Sequence, residues 1–192
     1  RNTIPYPSPG VGGPCLSKDP YILQENFAAF GLDCAVTSAA RKINESAPRL
    51  IYERCRDLLS GVGKDIHKDK IFIIGFAFKG DPATSDLRDS TTLWFLDYLK
   101  DRGVKNICGY DPVVEDIELE RLGVLPCGLE EGFKDAAVVI IMNNHRSYSD
   151  LNINTLLASM NKPAVFYDGW NIFPAQDMQS VPGILFAATG AG

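Results

Sequence analysis

The run Ile71-Phe72-Ile73-Ile74-Gly75-Phe76-Ala77-Phe78 carries no charge and no polar alternation. A strand of that composition must be covered on both faces. Further apolar runs follow near Lys105 to Tyr110, at Ala136 to Met142 and Ala164 to Tyr167, and more weakly at Gly183 to Ala188. Helical patterns separate them. Ser90 can cap a helix running to about Asp101, with Leu93, Leu96 and Leu99 inward and Gly103 as its stop. Others lie near Leu119 and over Leu151 to Met160. Buried strands alternating with helices predict an α/β fold with a doubly wound parallel sheet. No internal repeat or low-complexity segment interrupts the pattern.

The first third of the chain reads differently. Arg1 to Pro20 is dense in Pro and Gly and has no hydrophobic period, so it predicts a shaped loop. Asp19 then offers a cap, with Pro20 at the first helical position, and Leu23, Phe27 and Phe30 recur on one face until Gly31. A longer helix is predicted from about Ser38 to Leu59, with Ile43, Ala47, Leu50, Ile51, Arg54 and Leu58 near one stripe and Gly61 beyond its end. Pro48 must kink this helix or begin a second one after a Ser46 cap. The expected division is therefore residues 1–66, a loop and helical segment, and residues 67–192, the α/β domain.

The 192 residues, 45% of them hydrophobic, suffice for one good core. A formal charge of −5 without a basic run argues against a nucleic-acid or membrane surface and for small ligands or protein partners. No stretch has the length or apolarity of a membrane span, and the N-terminus lacks the pattern of a signal peptide. The five cysteines, Cys15, Cys34, Cys55, Cys108 and Cys127, are scattered without a C-x-x-C pair, and only two His accompany them. Reduced thiols in a cytoplasmic protein without a metal site are the expectation.

In an open parallel sheet, ligands sit beyond the carboxyl ends of the strands. The residues there are Lys79, Asp111, Asn143-Asn144-His145, and Asp168 with Asn171. Turn chemistry alone accounts for about half of these. Lys79 stands out, because it follows a strand and precedes Gly80 and the Ser90-capped helix, so a cation and a helix N-terminus could face one anion. Neither Gly10-Val11-Gly12-Gly13 nor Gly61-Val62-Gly63 completes a G-x-G-x-x-G, and no P-loop occurs. A self-contained NAD site is not expected, and His67 and His145 receive no chemical role.

Cys15 lies in Pro9-Gly10-Val11-Gly12-Gly13-Pro14-Cys15-Leu16-Ser17-Lys18-Asp19-Pro20. Glycines there let backbone approach a ligand, and the loop runs into a helix N-terminus beside Lys18, an environment that favours a thiolate. From spacing alone, a small residue packed in a tight turn explains Cys15 equally well. The segment resembles the G-x-G-G-x-C-x-x-K-D loop of the UDP-glucose/GDP-mannose dehydrogenases. Similarity continues through Ala40-Arg41-Lys42-Ile43-Asn44-Glu45, Gly75-Phe76-Ala77-Phe78-Lys79-Gly80, Asp86-Leu87-Arg88-Asp89-Ser90, Tyr110-Asp111-Pro112 and Asp168-Gly169-Trp170-Asn171, across essentially the whole chain.

The resemblance implies an enzyme with an upstream NAD-binding domain, a central helix that builds a homodimer, and a C-terminal Rossmann-like domain for the nucleotide sugar. Only the later parts are present. It implies Cys15 as nucleophile, Asp19 as the carboxylate that assists water, and Lys18 beside them. It further implies Gly12, Gly13, Phe78 and Lys79 at the sugar nucleotide, Arg88 toward NAD, and Arg1 toward substrate across the dimer. Trp170 stands where the family often has arginine, and the loop between Lys79 and Arg88 looks slightly longer than in common members. The implied reaction is the four-electron, NAD-dependent oxidation of a UDP-sugar C6 alcohol, on a UDP-hexose or UDP-N-acetylhexosamine. The wording Pro-Ser-Pro-Gly-Val-Gly-Gly and Lys-Gly-Asp-Pro leans toward the N-acetylhexosamine branch, GDP-mannose is less favoured, and the fragment alone is expected to be inactive. Two other readings stay open, a non-catalytic nucleotide-sugar-binding and dimerisation module and an unrelated thiol-dependent transferase.

Overall fold

A computed structural model describes residues 7–190. The described residues open with an extended segment and a turn, followed by helices α1 (Asp19–Ala29) and α2 (Ala35–Ser60). The α/β part then runs β1 (Ile71–Ile74), α3 (Thr91–Asp101), β2 (Ile107–Tyr110), α4 (Asp116–Arg121) and β3 (Leu125–Pro126). It continues through α5 (Leu129–Phe133), β4 (Val138–Ile141), a 3-10 turn (Arg146–Asp150), α6 (Ile153–Ala158), β5 (Ala164–Asp168), α7 (Ala175–Gln179) and β6 (Ile184–Ala188).

The six strands form one all-parallel sheet in the order β3-β2-β1-β4-β5-β6. The fold is thus the expected α/β, Rossmann-like, doubly wound sheet. Alternate residues of each strand enter opposite cores. Ile71, Ile73, Val138, Ile140 and Val165 pack with Phe95, Leu96 and Leu99 of α3, Leu119 of α4 and the second half of α2. Phe72, Ile74, Val139, Ile141 and Phe166 pack with Phe133 of α5, Leu156 and Leu157 of α6 and Met178 of α7. The chain leaves β1 toward β2 and β3, then returns to place β4 on the other side. The order therefore reverses between β1 and β4, and the crevice lies beyond Ile74 and Ile141.

Several local expectations change. β1 stops at Ile74, because Gly75 takes φ +92° and turns the remaining apolar run into a buried loop. Ser90 caps α3 as predicted, its Oγ accepting from the Thr92 N–H at 3.2 Å. Asp19 does not cap α1. Asp19 is already helical, Lys18 holds the cap position without a capping bond from its side chain, and the Asp19 carboxylate pairs with the Lys18 ammonium instead. Helix α2 runs unbroken across Pro48, and the Ser46 hydroxyl bonds back to the Ile43 carbonyl instead of capping a new helix. Its buried face is Arg41, Pro48, Ile51, Tyr52, Cys55 and Leu59, while Ile43 and Leu50 of the predicted stripe are exposed. Leu23 and Phe27 of α1 and Phe30 just after it are exposed too. β3, which completes the six strands, has no counterpart among the apolar runs of the sequence.

Candidate functional site

The extended segment crosses the carboxyl edge of the sheet because glycines admit it. A side chain at Gly169, after β5, would meet Pro9 Cγ and the Ile141 carbonyl oxygen, each at 2.4 Å. Farther along, a Cβ on Gly12 would sit 2.3 Å from the Asp89 carbonyl oxygen and 3.2 Å from the Thr91 nitrogen, and one on Gly13 2.9 Å from the Phe78 ring. Here the Gly13 N–H donates to the Asp89 carbonyl at 3.0 Å. The cysteine loop therefore rests on two parts of the β1–α3 connection, Phe78 at its start and Asp89 at its end. Asp89 holds φ +51°, a left-handed conformation uncommon outside glycine.

This packing corrects one expectation. The N-terminus of α3 does not face the crevice beside Lys79, because Ser90, Thr91 and Thr92 are buried and Gly12 is seated against Asp89 and Thr91. Lys79 is half-buried, with its ammonium 5.4 Å from the centre of the Phe78 ring, within cation–π range.

Cys15 is exposed at the turn that enters α1, and its carbonyl accepts from the Lys18 and Asp19 N–H groups at 3.1 and 2.9 Å. The Lys18–Asp19 ion pair is exposed and lies within the same turn. Asp19 holds the Lys18 ammonium above its ordinary range, chiefly by hydrogen bonding, with a smaller contribution from Cys15. Arg88 forks onto Asp86, its Nε at 3.0 Å and Nη2 at 2.6 Å from the two carboxylate oxygens. That bond raises the guanidinium, and Cys15 lies close enough to add to the effect. Cys15, Lys18 and Asp19 thus share one turn, and the Arg88–Asp86 pair adjoins it through Asp89, which accepts from the Ser17 hydroxyl at 2.9 Å, while Gly12 and Gly13 lead to Phe78 and Lys79. Arg1 lies outside the described residues.

The crevice floor is built from buried polar groups. Asp111, after β2, accepts from Phe76 N–H at 2.7 Å, Ala77 N–H at 3.1 Å, Val113 N–H at 2.9 Å and Val114 N–H at 3.1 Å, and Asn143 Nδ2 adds a further bond at 3.2 Å. Asp168 accepts from Trp170 and Phe173 N–H groups, and its burial nevertheless pushes the carboxyl up. Trp170 donates from its indole to the Met142 carbonyl at 2.9 Å, so the residue replacing the family arginine closes the end of β4. Gly80 N–H bonds Asn144 Oδ1 at 3.0 Å, joining the loops after β1 and β4. Among the anchors of the cysteine loop that sequence gives no role are Asn44 and Asp89. Both lie inside segments that carry the resemblance, but nothing in their spacing signals a bond to a loop 33 or 72 residues away.

Among the described residues no cluster of His, Cys, Asp and Glu could hold a metal, and no helix is long and apolar enough to cross a membrane.

Residues 72–175 match the profile of the UDP-glucose/GDP-mannose dehydrogenase family, UDP binding domain, and residues 1–46 match that family's central domain. The UDP-N-acetyl-D-mannosamine dehydrogenase of Pyrococcus horikoshii is 29% identical over the whole chain, which spans 41% of that protein. The UDP-glucose 6-dehydrogenase of Rhizobium meliloti is 26% identical over 96% of the chain and 41% of its own length. The solved structure of the Pyrococcus horikoshii enzyme superposes with a TM-score of 0.81 over 99% of this chain and 41% of that one, at 29% identity. An NDP-N-acetyl-D-galactosaminuronic acid dehydrogenase from Methanosarcina mazei gives 0.81 over 98% and 40%, at 26% identity. With matches in both its helical and its α/β parts, over about two fifths of the length of these relatives, the chain belongs to the UDP-glucose/GDP-mannose dehydrogenase family.

Proposed function

We propose that this chain is the C-terminal portion of an NAD-dependent UDP-sugar 6-dehydrogenase, with residues 1–66 carrying the nucleophile and the helical segment and 67–192 binding the nucleotide sugar. One observation carries the reading. The exposed Cys15 loop is packed on Phe78, the residue that leads to Lys79 at the switch point, so thiol and ligand crevice adjoin.

In this reading Phe78 and Lys79 hold the nucleotide sugar, with Gly12 and Gly13 letting it approach the loop backbone. The Cys15 thiolate adds to the C6 aldehyde of the first oxidation, forming a C–S bond while the carbonyl electron pair moves to oxygen and takes up a proton. NAD, when bound, would supply the hydride acceptor for both oxidations, and loss of hydride from carbon together with the hydroxyl proton turns the thiohemiacetal into a thioester on Cys15. Asp19, exposed beside Cys15, positions and deprotonates the water that hydrolyses the thioester, returning the thiol and releasing the carboxylate. Lys18 and the N–H groups of the turn stabilise the oxyanion. The chain's fit to NAD is Arg88, an exposed cation close to Cys15, while the cofactor is held mainly by a domain beyond this chain.

Of the three relatives named above, two carry an N-acetylhexosamine or its uronic acid in their names and one UDP-glucose, which supports an N-acetylhexosamine ahead of a plain hexose as the sugar. Val36, Ile43 and Phe30, each at least 70% exposed on α1, α2 or their connection, favour a homodimer. The test is Cys15→Ser in the complete enzyme. UDP-sugar affinity should stay within about twofold while complete oxidation falls by several orders of magnitude, since a hydroxyl is far less nucleophilic at neutral pH. Full activity of that variant would remove Cys15 from the chemistry.

A further inference from the structure

Helix α2 grips the cysteine loop on both sides of the thiol. Asn44 Oδ1 accepts from the Val11 N–H at 2.7 Å, and its Nδ2 donates to the Val11 carbonyl at 2.9 Å, so one side chain closes both ends of a single residue's backbone. One turn earlier, Arg41 Nη1 donates to the Leu16 carbonyl at 3.2 Å, the residue after Cys15. Arg41 is 8% exposed. Its Nη2 is held by Glu45 at 2.9 Å, Glu45 also accepts from the Tyr21 hydroxyl, and the guanidinium lies 5.7 Å from the Tyr21 ring centre. A chain of contacts thus links α1, α2 and the loop. The Asn44 carbonyl is also the one that Pro48, lacking an N–H, cannot engage within the helix. The opposite flank is held by Asp89, through Gly13 N–H and through the Ser17 hydroxyl at 2.9 Å.

Resting on Cys15 as the nucleophile, we infer that Arg41 and Asn44 are positioning residues that hold the thiol at the N-terminal turn of α1, beside Lys18 and Arg88. Neither is a catalytic residue. A buried guanidinium is costly to desolvate, and one that spends two of its nitrogens on a surface loop and a helical carboxylate does so for geometry at that loop. The bonds bracket the thiol at four positions, Val11, Gly13, Leu16 and Ser17, so releasing the α2 side leaves the loop tethered only through Asp89 among these contacts.

The experiment measures iodoacetamide alkylation of Cys15 in the 192-residue chain by mass spectrometry, as the ratio of the native to the urea-denatured rate constant. Buried Cys55 and Cys108 report on the fold in the same spectra. The unsubstituted chain should give a ratio above one, and Asn44→Ala should bring it down about fivefold, the size of a helix-terminus charge interaction, with Cys55 and Cys108 still protected. Asn44→Asp, which keeps an oxygen for the Val11 N–H but loses the donor to its carbonyl, should fall between. An unchanged ratio in Asn44→Ala with the fold intact overturns the positioning role and leaves Cys15 as nucleophile. A ratio at or below one in the unsubstituted chain overturns the nucleophile reading, and this inference with it. Should Asn44→Ala expose Cys55, Asn44→Asp and Arg41→Lys decide by the same ratios, and exposure of Cys55 in all three makes these residues props of the fold and sinks the proposal.

Discussion

Asp111→Asn probes the crevice floor at nearly constant volume. Asp111 is 8% exposed, and its two oxygens divide the work, Oδ2 accepting from Phe76 and Ala77 and Oδ1 from Val113 and Val114. The amide replaces one oxygen by a donor. Whichever way it lies, two backbone N–H groups lose their acceptor and face an NH2. Asn143 relieves only part of this, because its unpartnered Oδ1 can take a bond from the new amide while the backbone donors stay orphaned. At about 1–3 kcal/mol for each unsatisfied N–H, a loss of about 3 kcal/mol is expected. For a chain of this size that corresponds to about 6–12 °C in melting temperature. Circular dichroism melts against Asp81→Asn, whose partner Arg146 is a surface cation, provide the measurement, because an exposed pair is worth little. UDP binding should weaken too, as Phe76 and Ala77 lead directly into Phe78 and Lys79. A variant melting within about 1 °C of the unsubstituted protein would refute the reasoning, since no accounting of five bonds to one carboxylate allows so small a loss.

Gly12→Ala should lift the cysteine loop from α3, since its Cβ would meet backbone on both sides and no flexible side chain can give way; about 1–3 kcal/mol is expected, read from the denaturant midpoint. An unaltered midpoint together with unaltered Cys15 labelling counts against the packing described. Asp86 is held down to about 2, first by the Arg88 side chain and then by the Arg88 N–H. Because its folded value is depressed, the associated stabilisation is complete above the ordinary carboxylate range and is lost as pH falls through about 2. In Arg88→Ala the Asp86 carboxyl should titrate nearer the ordinary value of about 3.9, by carbon-detected NMR, and a titration left near its original place would assign the shift elsewhere.

What the sequence made legible was whatever buries apolar side chains continuously or needs a particular terminal residue. The core strands, the Ser90 cap and the stops at Gly31 and Gly103 fall in that class. β3 escaped because it has two residues, one of them Leu125 at 69% exposed, too short and too open for any period to register. Helix α2 escaped division because the half containing Ile51, Tyr52, Cys55 and Leu59 is packed into the sheet's core, which outweighs the bond missing at Pro48. The turn holding Cys15, Lys18 and Asp19 is contiguous and could be read as a unit. Arg88 was legible only as a residue toward NAD, and Asp89, Arg41 and Asn44 not at all, since only the fold brings them to that turn.

The strand order is the one on which dinucleotides are bound elsewhere, at a glycine-rich turn opening the helix after β1 and an acidic side chain at the end of β2. Both positions are occupied here, and both are used internally. Asp111 stands at the end of β2, but five donors from its own chain hold it at the crevice floor. The α3 N-terminus is covered by Gly12, and the chain reaches it through the long connection from Gly75 to Ser90 instead of a tight glycine turn. Burying these two features leaves the mouth of the switch point to the part of that connection carrying Phe78 and Lys79, and brings a segment from outside the sheet to its rim. In the proposed reading the same architecture recognises a different nucleotide without rearranging a strand, because selectivity then follows from which polar groups the loops consume before any ligand arrives.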